Sequence, residues 1–181
     1  PGTVYNDLFS HEDMVPTIMA AVGEGDIKEK LLKGHRANGR DYKVHLDGYN
    51  LMPYFKGEVD EGPRKEFFYW TDDGQLANLR YDRWKMVFME QRAHGFEVWQ
   101  DPLVTLRAPK LIDMRGDPFE RAEHEAEMYN IWRFDHAFLI LPAVGYVAQH
   151  LETYKKYPPR QKPGSFNLNK VLDKLQKNTS T

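Results

Sequence analysis

The chain has 181 residues and no cysteine, is 41% hydrophobic and 29% charged, and balances 25 Lys+Arg against 27 Asp+Glu. That length and composition describe a chain able to bury a real core, about one domain in size, and they exclude overall disorder. The absence of cysteine excludes a disulfide scaffold, a thiolate metal site and a cysteine nucleophile, and the near-cancelled charge gives no reason to expect nucleic acid as a partner. The longest apolar run, Ala137 to Leu141, ends at Pro142 and falls far short of the roughly 18 residues of a membrane-spanning helix. Beginning at Pro1 with neither an initiator Met nor a basic-then-apolar leader, the sequence reads as part of something longer.

Val15, Ile18, Met19 and Val22 recur at the spacing of one helical face, and Gly23 stops that helix. Asp13 is the better N-cap than Ser10, because Pro16 then falls at the third helical position, where its missing N–H costs nothing. A short helix around Ile27 to Leu32 and a loop follow. From Arg64 the pattern changes. Lys65 to Thr71 is dense in aromatics that favour a pleated surface, Asp72-Asp73-Gly74 is a turn, and Leu76 to Tyr81 is a second strand. Asp82-Arg83 connects it to a third strand, Trp84 to Met89, completing an antiparallel meander with Trp84, Met86 and Phe88 on one face.

Residues 90 to 109 form a long loop before a short strand, Lys110 to Met114, and a loop of that length inside a domain is more often functional than idle. After Asp117-Pro118 comes a helical stretch with Met128, Ile131, Trp132, Phe138 and Leu139 on one stripe, interrupted by Asp135 and ended or kinked at Pro142. Val144, Val147, Ala148 and Leu151 carry a second stripe. Pro158 to Gly164 reads as an extended linker, and Leu168, Val171, Leu172 and Leu175 as the face of a final helix capped by Asn167. The tail carries Lys155, Lys156, Arg160, Lys162, Lys170, Lys174 and Lys177 against Asp173 alone, which fits a solvated face or an acidic surface of the same protein. The fold class expected is α+β: a small antiparallel sheet of about four strands packed against helices.

The seven histidines show no tight ligand spacing, and the nearest approach to a metal cluster, His124-Glu125 with Glu120 and Glu123, suits a helix start better. There is no nucleophile-elbow, Walker or dinucleotide motif. Asp72 and Asp73 are paired carboxylates whose default role is turn chemistry. The most suggestive polar stretch runs from Glu90 to Trp99, where Arg92 and His94 offer cations beside Phe96 and Trp99. The plainer reading of that stretch is a loop whose rings pack on the domain.

Four patches in order resemble the carboxyl-terminal part of the bacterial sulfatase family, in the alkaline phosphatase superfamily. The first, Pro1-Gly2 through Phe9 to Thr17 and on to Gly23, resembles that family's Asp-x-x-Pro-Thr helix ending in Ala or Gly. The second, Asp47-Gly48 through Leu51, Pro53 and Gly57, resembles its D-G-x-s-L-x-P-x-L-x-G stretch. The third, Phe67 to Trp70 with Leu79-Arg80-Tyr81 and Asp82-Arg83-Trp84-Lys85, resembles its aromatic strand and the a-x-R-x-g-x-w-K that follows. The fourth, Leu111 to Glu120, resembles its L-y-d-L-x-x-D-P-x-E strand and turn.

The resemblance implies hydrolysis of sulfate esters by a formylglycine, made from Cys or Ser in a C/S-x-P-x-R motif, beside a calcium-type divalent cation. Those residues belong to the family's amino-terminal part, and this chain has no Cys and no Ser-x-Pro-x-Arg, so no catalytic or metal residue is expected in it. Implied partners are the amino-terminal part of the same sulfatase and, in the parent, a sulfate-ester small molecule, in bacterial cytoplasm or periplasm; self-association is left open. The implied organisation is the end of a large α/β domain over residues 1–60, an antiparallel-sheet subdomain over 61–154, and a basic linker and terminal helix over 155–181. Residues 1 to about 60 are expected to need an upstream partner for their order or their final arrangement. Candidates for the pocket rim are Arg92, His94, Phe96, Trp99, Asp72 and Asp73. The alternatives are a phosphonate or phosphate ester hydrolase of the same superfamily, or a noncatalytic protein-interaction module.

Overall fold

The computed structural model describes residues 2–159 and Gly164; the expected linker lies largely outside these residues and the expected final helix wholly so. The fold is α+β. After a single 3-10 turn at His11–Asp13, helices α1 (Met14–Ala21) and α2 (Ile27–Lys33) lead to a two-stranded hairpin, β1 (His35–Ala37) and β2 (Arg40–Tyr42). The hairpin turns on Asn38-Gly39, both at positive φ, as a tight two-residue turn requires. A one-turn helix, α3 (Met52–Phe55), precedes the main sheet of β3 (Glu66–Trp70), β4 (Leu76–Tyr81), β5 (Trp84–Glu90) and β6 (Val104–Asp113). Its strands lie antiparallel in chain order, and α4 (Ala122–Glu125), α5 (Tyr129–Asp135) and α6 (Ile140–Lys156) follow. Among the described residues no helix is long and apolar enough to cross a membrane.

The meander forms where its turn chemistry places it. Gly74 takes the positive φ of the first turn, and Asp82 takes that of the two-residue connection closed by the Tyr81–Trp84 pair. Phe68, Leu79, Met86 and Leu111 pair in register across all four strands, so by the period of two they share one face. Ala143 of α6 sits on that row, with Trp84 and Phe88 beside it and Trp132, Leu139, Ile140, Tyr146 and Val147 covering it. Trp84, Met86 and Phe88 therefore lie beneath helix, as the alternation predicts.

Four expectations are corrected. The last strand begins at Val104 rather than Lys110, so the preceding loop shrinks to residues 91–103. Pro109 is accommodated because the register slips opposite Phe88, and residues 106–109 fall in that irregularity, outside the paired register. The long helical stretch breaks at a 3-10 turn, Ala137–Leu139, and not at Pro142, which lies in the first turn of α6 where proline is tolerated. The stripes hold only in part: Trp132, Leu139 and Val147 pack on the sheet as expected, but Met128, Ile131, Phe138, Val144 and Leu151 are exposed, while Ile140, Ala143, Tyr146 and His150 turn inward. On α1 the apolar face of Val15, Ile18 and Val22 is exposed, because Asp13, Pro16 and Thr17 form the buried side.

A cleft between the amino-terminal segment, strand β3 and helix α6

Asp13 does not cap α1. Its carboxylate is fully buried and accepts from the backbone N–H of Ser10 (2.8 Å) and of Tyr49 (2.7 Å), while Ser10 caps the preceding 3-10 turn. Arg64 completes the cluster, its Nε donating to Asp13 Oδ2 at 2.7 Å and an Nη to Oδ1 at 2.6 Å. One turn along α1, the Thr17 hydroxyl donates to the Tyr49 carbonyl and accepts from the Leu51 N–H, so residues 49–51 lie along the buried side of the helix. Gly48 is required at that crossing: a Cβ on it would overlap the backbone carbonyl of Glu12.

Where this segment meets β3 and the carboxyl-terminal half of α6 lies a cleft of about 430 Å³. Its first wall carries Glu12, Lys28, His45, Asp47 and Tyr49; the second carries Phe68 and Trp70 from β3 and Tyr146, His150 and Tyr154 from α6, with Arg64 and Glu66 at the seam. His150 stacks on Phe68 with centroids 4.0 Å apart and also touches the Trp70 and Tyr154 rings. Its Nδ1 lies 4.0 Å from Asp47 Oδ1, the oxygen that His45 Nδ1 approaches to 3.1 Å. The Tyr49 hydroxyl donates to Glu66.

Burial sets the protonation states. It pushes the His150 imidazolium down, outweighing the attraction of Asp47, and it pushes the Glu12 carboxyl up despite Arg64. Burial, aided by the Glu66 carboxylate, pushes the Tyr49 phenol up, so it stays a donor. At Asp13 burial works the other way from the outcome: hydrogen bonds from Arg64, Tyr49 and Ser10 overcome it and hold the carboxyl below its ordinary value. The one hydroxyl on the α6 wall that resembles a nucleophile, Thr153, donates to the His150 carbonyl one turn back. The geometry is that of a binding cleft with protonated phenols, an aromatic wall and excess carboxylate.

The residues proposed from sequence lie elsewhere. Arg92, His94, Phe96 and Trp99 form an exposed tip between β5 and β6, with Phe96 91% and Trp99 83% exposed and Arg92 paired to Glu90. Asp72 and Asp73 sit in the β3–β4 turn, where the Asp72 carbonyl accepts from the Gly164 N–H. None of these six lines the cleft. The cleft residues come from positions as far apart as Glu12 and Tyr154, and no local spacing announces them. Asp47 and Tyr49 fall in the Asp-Gly stretch and Phe68 and Trp70 in the aromatic strand, but neither pattern points to a shared cleft. The chain's residues do not fit a formylglycine or a calcium-type cation: Cys is absent, and among the described residues no three His, Asp or Glu side chains converge as a metal requires. No family model matches the chain, and no curated protein matches it.

Proposed function

We propose that this chain is the carboxyl-terminal portion of a bacterial sulfatase and walls the substrate pocket of the parent enzyme, whose nucleophile and divalent cation reside in its amino-terminal part. One observation carries the reading: the resembling patches meet in two pairs, the first with the second and the third with the fourth, through side chains of their own residues. Asp13 and Thr17 of the first bond the backbone of Tyr49 and Leu51 in the second, where Gly48 permits the contact. Lys85 of the third pairs with Glu120 of the fourth at 2.6 Å, and Arg83, between the third patch's strands, grips Asp113 of the fourth. Contacts between stretches this far apart in sequence are what a common scaffold for the patches requires. The exposed face of α1 adds support, since a helix ending an α/β domain buries such a face against its sheet. In the parent, water-assisted cleavage of an aryl or alkyl sulfate is the reaction, and this chain binds and shapes rather than makes or breaks bonds.

The test is hydrolysis of 4-nitrophenyl sulfate and of 4-nitrophenyl phosphate by the intact protein, whose peptide mass map includes these residues, and by this chain alone. Sulfate release by the intact protein, abolished by a chelator and absent from the chain alone, is expected. Preference for the phosphate ester would reassign the substrate class. An intact protein inert to both would leave an interaction module, the reading that the naked Phe96 and Trp99 rings favour.

A further inference from the structure

The cleft is mismatched in charge. Arg64 is committed to Asp13 through two hydrogen bonds and reaches Glu12 through a third, at 3.2 Å. Lys28 donates to the Gly48 carbonyl and lies over the Tyr49 ring. Those two cations stand against four carboxylates, the buried Asp13 and the cleft-lining Glu12, Asp47 and Glu66; Glu12 shares Arg64 with Asp13, Glu66 accepts from Tyr49 and Asp47 faces His45, so the count leaves a carboxylate excess. Opposite the carboxylates stand Trp70 and Tyr154, rings 5.4 Å apart whose π faces carry negative potential.

We propose that this cleft binds a small organic cation, a protonated or quaternary amine, between the Trp70–Tyr154 wall and the carboxylates of Asp47 and Glu12. An anion meets repulsion there, because the guanidinium that would greet it is already spent. A bare metal ion lacks a converging set of ligands among the described residues. A neutral polyol leaves the carboxylate excess uncompensated, whereas an alkylammonium satisfies carboxylates and rings at once. The volume, about 430 Å³, suits such a molecule. This binding does not depend on the sulfatase reading and is tested without enzyme turnover.

The full chain is titrated with choline, with its neutral isostere 3,3-dimethylbutanol, with methyl glucoside and with sodium sulfate, following the indole N–H resonance of Trp70 assigned through Trp70→Phe. Choline should shift that resonance saturably with a Kd of about a millimolar, and the isostere should bind at least about tenfold more weakly. Asp47→Asn and Glu12→Gln should each weaken choline about threefold to tenfold. If Asp47→Asn fails to fold, Glu12→Gln carries the charge test, since its side chain reaches the cleft from a more exposed position. Equal binding of the isostere, tighter binding of glucoside or sulfate, shifts confined to the other indoles, or no saturation by choline overturns the proposal.

Discussion

Asp13 and Arg64 are separated by 51 residues in the chain and are both buried, so their pair welds the amino-terminal segment to the start of β3. Removing either partner strands the other charge, and removing Asp13 also leaves the N–H groups of Ser10 and Tyr49 without that acceptor. Asp13→Ala and Arg64→Met should each cost about 3–5 kcal/mol by urea denaturation, and the double variant less than their sum. Additive losses would mean the pair is not coupled. The linkage to pH follows from the directions of shift. Asp13 has a lowered carboxyl pKa when folded, so its contribution is present above its ordinary value of 3.8 and is lost as pH falls through the folded value. His150 is also lowered, so the unfolded chain takes up its proton first, and stability declines as pH drops below 6.5 toward the folded value. His150→Phe should flatten the decline in thermal midpoint between about pH 7 and 5; an unchanged slope would place the titration elsewhere. The helix after Asp13 was legible from spacing, but the carboxylate's use was not, because its partners come from distant parts of the chain.

The sheet shows where pattern suffices. Turn residues and alternation located β3, β4 and β5 to within a residue or two, since a meander is specified by neighbours in sequence. Lys110 to Asp113 was visible and Val104 to Pro109 was not, because an irregular ladder masks the period and tolerates Pro109. The Asn38-Gly39 hairpin was missed although its dipeptide is a strong turn signal; its strands are three residues each and largely polar, too short to show alternation. On α6 both long sides carry apolar residues, so periodicity alone does not decide which one faces the sheet. Leu79, 2% exposed at the centre of the core, should cost about 2–5 kcal/mol when truncated to Ala. Leu141→Ala, at 79% exposure, should stay within about 0.5 kcal/mol in the same denaturation assay. Comparable losses would reverse the assignment of faces.

Among the described residues, apolar side chains stand exposed on the α1 face, on α5 and α6 at Phe134 and Leu141, and at the tip with Phe96 and Trp99, as well as singly at positions such as Phe9 and Phe119. The tip supports nothing within the described chain, so Trp99→Ala and His94→Ala should leave its thermal midpoint unchanged. If the parent is the sulfatase proposed above and the tip meets the organic group of its substrate, the same variants in the intact protein should raise KM about tenfold with kcat preserved. Lost stability without a kinetic change would make it a structural loop. The sheet's strand order has a consequence in time. Each strand pairs only with its sequence neighbours, so the meander closes short loops, whereas the Asp13–Arg64 weld must close a long one. Assembly should therefore come in two stages, with amides of β4 and β5 exchanging with solvent far more slowly than those of Tyr49 and Leu51; one common exchange rate would argue for a single step. Since the cleft needs both Asp47 and Trp70, the chain passes through a state in which the sheet already stands and there is nothing yet for a ligand to enter.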